Sequence, residues 1–211
     1  MSHPADAPFE PADRPGAVQV HLDAASRRLV AEVMDDVVRL LDPTEPDGVR
    51  EPGGGGSSGD LDWLRLEAEL QVDPPADPAV ARLLPDGHRD DPELAQSYRR
   101  LTEHTLRERK QTGLGRAALA LRREAPVVLE PDEANDLLKA LTDVRLVLAD
   151  RIGLRTDEDA EALHAHVALL QVRAEVAGLA ALPEAEQHWL SLSALYEELT
   201  WWQEALIAAL R

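Results

Sequence analysis

No cysteine occurs anywhere in the 211 residues, which excludes disulfides, a thiol switch, a cysteine nucleophile and a zinc-finger type of site. Sulfur chemistry is left to Met1 and Met34. Aromatic residues make up only 3% of a chain that is 44% hydrophobic, so leucine, valine and alanine must fill the core, a composition that favours helices over a β-sandwich. No apolar run approaches the roughly 20 residues of a membrane span. The opening MSHPADAPFEPADRPG also lacks the charged and apolar regions of a signal peptide, so a cytoplasmic protein without membrane contact is expected. Basic residues are in deficit as well, 22 against 40 acidic, and the net charge of −18 opposes attraction to nucleic-acid phosphates.

What is present reads as a mainly α protein, a single compact helical domain with a small N-terminal β element. Residues 1–15 hold four prolines and little to pack, and a disordered tail is expected there, with the folded domain over 16–211. Val18, Val20 and Leu22 alternate with polar or small residues as in a half-buried strand, and a helix follows over about 24–41. The stretch 42–60, DPTEPDGVREPGGGGSSGD, reads as a flexible loop, and its GGGG run lacks the lysine and hydroxyl context of a phosphate loop. Leu61, Trp63, Leu64, Leu66 and Leu70 are expected to return the chain to the core. Asp90 or Asp91 ahead of Pro92 marks a helix start, with Gly113 and Gly115 expected to interrupt that helix. APVVLEP suits an edge strand stopped by Pro131, and the last three helices are read in 129–154, about 156–182 and from near Pro183 onward.

In the helix read in 129–154, Leu137, Leu138, Leu141, Val144, Leu148 and Ile152 fall within about 120° of arc, and Arg145 lies inside it. An arginine at a core-facing position needs partners for its donors, so Arg145 is expected to form a structural ion pair. Asp132, Asp136, Asp143 and Asp150 cluster opposite, as a solvated face would. Trp201 and Trp202 cannot share one helix face. The plain reading has both rings covering the core of one monomer, while the second ring leaves room for a homodimer interface.

Catalytic and metal signals are poor. His164 and His166 point roughly 200° apart on a helix, and no nucleophile or ligand pattern accompanies the other histidines, so no catalytic residue, metal or cofactor is expected. The strongest functional signal is a basic island, with eight basic and two acidic side chains over 97–123 between acidic flanks. Arg99, Arg100, Arg107 and Lys110 share one helix face opposite Leu94, Tyr98 and Leu101. That face is either a salt-bridged surface, with Glu103 between Arg99 and Arg107, or a docking face for an acidic protein segment. Direct DNA binding by the chain alone is the weaker option.

The segments RLLPDGHRDDPELAQSYRRLTEHTLRERK, EPDEANDLLKALTDVRLVLADRIGL and YEELTWWQEALIAAL resemble an actinobacterial family of unknown function whose members are similar to the oxidative-stress transcriptional regulator AosR. The resemblance covers about 16–154 and 183–211, with the glycine-rich loop and 155–182 as local additions. It implies a non-enzymatic, transcription-associated regulator that contacts a sigma factor under oxidative stress. The alternative, from gene neighbourhood in that family, is an accessory of Clp-dependent proteolysis. The disulfide switch that the resemblance also implies cannot operate in a chain without cysteine.

Overall fold

The computed structural model of the chain describes residues 7–42, 75–87 and 91–211. Its elements are β1 (Phe9–Pro11), β2 (Val18–Val20), α1 (Ala24–Leu40), α2 (Pro78–Leu83), α3 (Pro92–Leu121), β3 (Val127–Leu129), α4 (Pro131–Arg151), α5 (Asp157–Ala177), a 3₁₀ turn (Leu179–Ala181) and α6 (Glu184–Ala209). The loop expected over 42–60, the packing expected of Leu61 to Leu70, and the alternative cap Asp90 lie outside the described residues, apart from Asp42.

Part of the segment expected as a tail is a strand. β1 pairs antiparallel with β2, Phe9 opposite Val20, and β2 pairs antiparallel with β3, Val18 opposite Leu129. The reason is Phe9, a large apolar side chain that is buried edge-on against Trp202 with ring centroids 6.2 Å apart. Its burial helps offset the ordering of a proline-rich stretch.

Helix boundaries follow side-chain caps. Asp23 accepts from the backbone N–H groups of Ala25 and Ser26 at 2.8 and 2.9 Å, and Asp91 accepts from that of Leu94 at 3.0 Å. The Glu130 N–H donates to Glu133 at the start of α4. At the other end of α4, Gly153 takes φ +80°, its N–H donates to Asp150, and the Leu154 N–H reaches back to Ala149. These two bonds are a Schellman closure, which needs a residue free of the Cβ clash.

Helix α3 is continuous through Gly113 and Gly115, contrary to the expected break. Two glycines cost about 2 kcal/mol of helix propensity, and burial of Leu114 between them and of Ala117, Ala118 and Leu121 after them offsets it. Helix α4 forms the centre of the fold, with Leu137, Leu141 and Val144 fully buried among α1, α3, α6 and β3. Trp202 and Leu206 of α6 close this core from the side that β1 covers.

A second core-facing arginine went unforeseen. Arg27 lies on the buried stripe of α1 with Val30, Ala31, Met34 and Val37. Its guanidinium donates to the carbonyl oxygens of Leu121 and Arg123, each at 2.7 Å, and to that of Leu22 at 3.2 Å. A cation thus caps the C-terminus of α3, where the helix leaves carbonyls unpaired. The signal lay in the sequence, since Arg27 continues the apolar spacing of α1 one turn toward its start.

A groove between α3 and α4

Of the face expected to dock a partner, three side chains are turned inward. Side chains of Arg99, Arg107 and Lys110 are only 10%, 14% and 19% exposed. Arg99 pairs with Asp86 and lies 3.6 Å from Glu103; Arg107 donates to Glu103 and to the Leu41 carbonyl, each at 2.6 Å. The side chain of Arg100 lies outside the described ones. On the first half of α3 the opposite stripe faces solvent instead, with Leu101 81% exposed and Leu94 and Tyr98 nearly half exposed. The helical wheel placed the two faces correctly relative to each other. Which one turned inward was decided by the acceptors that Asp86, Glu103 and Leu41 offer to the cations.

Lys110 does belong to a site, though not the expected one. Its Nζ lies 2.6 Å from Oδ1 of Asp143, on the floor of a groove of about 780 Å³ between α3 and α4. Leu106, Leu114 and Ala140 supply apolar lining, and Thr105, Thr112 and Thr142 add hydroxyls. Asp143 is therefore not part of a solvated acidic face. Burial pushes its carboxyl above the usual range, while the hydrogen bond and charge of Lys110 pull the other way.

Asp132 is exposed as expected, whereas Asp136 and Asp150 are each shared among several cations. Asp136 lies 3.7 Å from Arg116 and 3.9 Å from Lys139, and Asp150 sits near Arg82, Arg151 and Arg155. Along the groove, Asp136 thus serves two exposed cations, and the exposed Glu108 adds a second rim carboxylate. Arg109, also exposed, adds a third cation to the rim. With the Lys110–Asp143 pair internally neutral, the groove offers a largely apolar lining and a rim on which three cations, Arg109, Arg116 and Lys139, outnumber two carboxylates, Glu108 and Asp136, in a strongly acidic protein.

Arg145 has partners from another segment, but they are neutral ones. Nη1 donates to Oε1 of Gln203, Nη2 lies 3.3 Å from the Tyr196 hydroxyl, and the guanidinium stands 5.1 Å from the Tyr196 ring centroid. The expected ion pair is corrected to a hydrogen-bonded, cation–π arrangement. The arginine is only half buried at the α4–α6 contact, so a carboxylate is not needed to compensate its charge. Gln203 continues the chain of contacts by donating to Thr142 Oγ1 at 3.0 Å, which ties Arg145 to the groove wall.

Trp202 is fully buried and donates to Glu198, whereas Trp201 is 38% exposed, so the two rings do not both cover the core. His164 and His166 diverge as their spacing requires, one toward Glu197 and the other onto the Trp189 ring at 4.7 Å. Among the described residues no group of acidic and histidine side chains could hold a metal ion, and no helix is long and apolar enough to cross a membrane.

The chain belongs to a family described as a domain of unknown function (DUF2017), whose model matches residues 6–210. That span includes 155–182, the stretch read from sequence as a local addition. No curated protein and no solved structure matches the chain.

Proposed function

We propose that this member of an unknown-function family is a non-enzymatic regulator that works by holding an acidic segment of another protein in the α3–α4 groove. The observation that carries the reading is the groove's chemistry. A largely apolar lining whose rim carries Arg109, Arg116 and Lys139 against Glu108 and Asp136 suits an amphipathic segment whose flanks are acidic, because apolar contact supplies affinity and the excess of cations steers encounter. The partner expected from the AosR-like resemblance is a sigma factor, engaged during oxidative stress in the cytoplasm. A stress signal would have to reach the complex through the partner or through another molecule, since this chain carries no thiol.

The test is affinity capture from the native host under resting and peroxide-stressed conditions, with the wild-type chain and with a triple variant, Arg109→Glu, Arg116→Glu and Lys139→Glu. All three side chains are exposed and glutamate is nearly as good a helix former, so helicity should be retained. Capture of a sigma factor by the wild type, weakened in the variant mainly through slower association and less so at high salt, supports the reading. Undiminished capture by the variant at low salt removes the groove from the contact. Capture of Clp components in place of a sigma factor rejects the transcriptional role.

A further inference from the structure

The α3–α4 groove has room that the described residues do not fill. A Cβ added at Gly113, on its lining, would meet no atom within 4 Å. Apolar surface also continues past its mouth, where Leu101 stands 81% exposed one turn ahead of Thr105. An occupant needs apolar side chains for the lining and an excess of carboxylates for the rim.

The chain carries such a sequence in residues 43–74, which lie outside the described ones. Over 60–70 it reads DLDWLRLEAEL, six apolar residues with Asp60, Asp62, Glu67 and Glu69 against the single Arg65, a net charge of −3. Leu64, Leu66, Ala68 and Leu70 alternate with Arg65, Glu67 and Glu69, so apolar side chains can enter a groove while charged ones stay at its edge. The rim opposite them carries more cations than carboxylates.

Both ends of this stretch leave the described structure close to the groove. At one, Gln111, on the α1 side of α3, donates to the Asp42 carboxylate at 2.6 Å. At the other, Asp77, the cap of α2, accepts from Arg151 at 2.6 Å, eight residues or about 12 Å along α4 from Asp143. The 18 residues between Asp42 and Leu61 can span up to about 59 Å, and the six between Leu70 and Asp77 about 20 Å. Helix α3, about 10–12 Å across with its side chains, is no obstacle to that reach.

We infer that residues 60–70 of this chain occupy its own α3–α4 groove, so that a partner gains the site by displacing them. A ligand carried on the same chain acts at an effective concentration on the order of 1 mM, which a free segment must outcompete. The regulatory consequence rests on the partner reading above; the contact within the chain does not.

The test uses the full chain and, as probe, a fluorescent synthetic peptide of residues 59–71 followed by anisotropy. The wild type, its groove filled, should bind the peptide weakly. The variant Trp63→Ser, Leu64→Ser and Leu66→Ser should bind it at least about tenfold tighter. Adding Gly113→Leu, which places a side chain in the open part of the groove, should cancel that gain. Equal binding by the wild type and the triple-serine variant shows an open groove and overturns the inference while leaving the partner reading in place. So does a gain that Gly113→Leu leaves intact, since the peptide then binds elsewhere. A second measurement decides if the triple-serine variant fails to fold. The absence of native cysteine allows Ala68→Cys and Thr112→Cys to be joined by a short bismaleimide. A link within one chain supports the inference; a link only between two chains, or none, overturns it. Failure to capture any partner would leave both peptide binding and cross-link unchanged.

Discussion

Helices α5 and α6 follow one another in the chain and are both rich in leucine and alanine, yet their apolar residues meet different fates. In the second half of α6, Leu199, Trp202 and Leu206 have no exposed surface. In α5, Leu169, Val172 and Val176 are each more than half exposed. The difference is in the neighbours. Helix α6 lies against α4 and β1 as well as α5, whereas α5 packs chiefly against α6 and the turn that joins them. Apolar content alone therefore does not fix burial: a helix with one packed neighbour can hide one face, and any second apolar face must await another surface.

The sharpest way to break this comparison is to remove one side chain from each helix. Trp202→Ala should cost about 3–5 kcal/mol, since it empties a site walled by Phe9 and the α4 core. Val176→Ala should change stability by no more than about 0.5 kcal/mol. Urea unfolding of both variants checks the pair, and comparable losses would mean that α5 is packed as fully as α6.

The two core-facing arginines sharpen the contrast between a fully packed region and a contact margin. Arg27→Ala should cost about 3 kcal/mol, because buried carbonyl oxygens at the end of α3 lose a charged donor. Arg145→Ala should cost only about 1–2 kcal/mol, its partners being neutral side chains near solvent that water can satisfy. Shifts in the denaturation midpoint would rank them, and an equal or larger loss at Arg145 would contradict its half-buried setting.

The smallest effect is the pH dependence of two carboxylates, one in each region. Asp159, at the exposed start of α5, is held below the usual carboxylate range by backbone N–H groups of Arg155 and Thr156. Its contribution is present above the unfolded pKa and is lost as pH falls through the lower folded value. Asp143 has the opposite sign, because burial raises its folded pKa. The folded state then binds the proton more tightly, so stability from this group falls as pH rises from the unfolded to the folded value and returns on acidification. Asp159→Asn should flatten the acid side of the stability curve, and Asp143→Asn should steepen it by deleting the compensating group. Thermal melting across the carboxylate range measures both slopes.

Much of the element order was legible because it rests on local rules. Asp91 with Pro92, the strand-like alternation of Val18 and Val20, and Gly153 after the α4 stripe each act within a few residues of chain. The continuity of α3 was not legible, because its glycines are outweighed by contacts with distant segments. The site was legible only in part. Lys110 entered through charge clustering, but its partner Asp143 was assigned to solvent, and Arg109, Arg116 and Lys139 become a rim only when α3 lies beside α4.

By itself, then, the sequence determined a cysteine-free, strongly acidic, mainly helical chain, the relative placement of polar and apolar faces on each helix, and several of the caps that end them. Tertiary structure alone decided which face turned inward. A periodic pattern specifies angles around a helix axis and leaves open what stands opposite. On the first half of α3, the acceptors of Asp86, Glu103 and Leu41 drew in the charged face, because a buried cation must be compensated while an exposed leucine is tolerated.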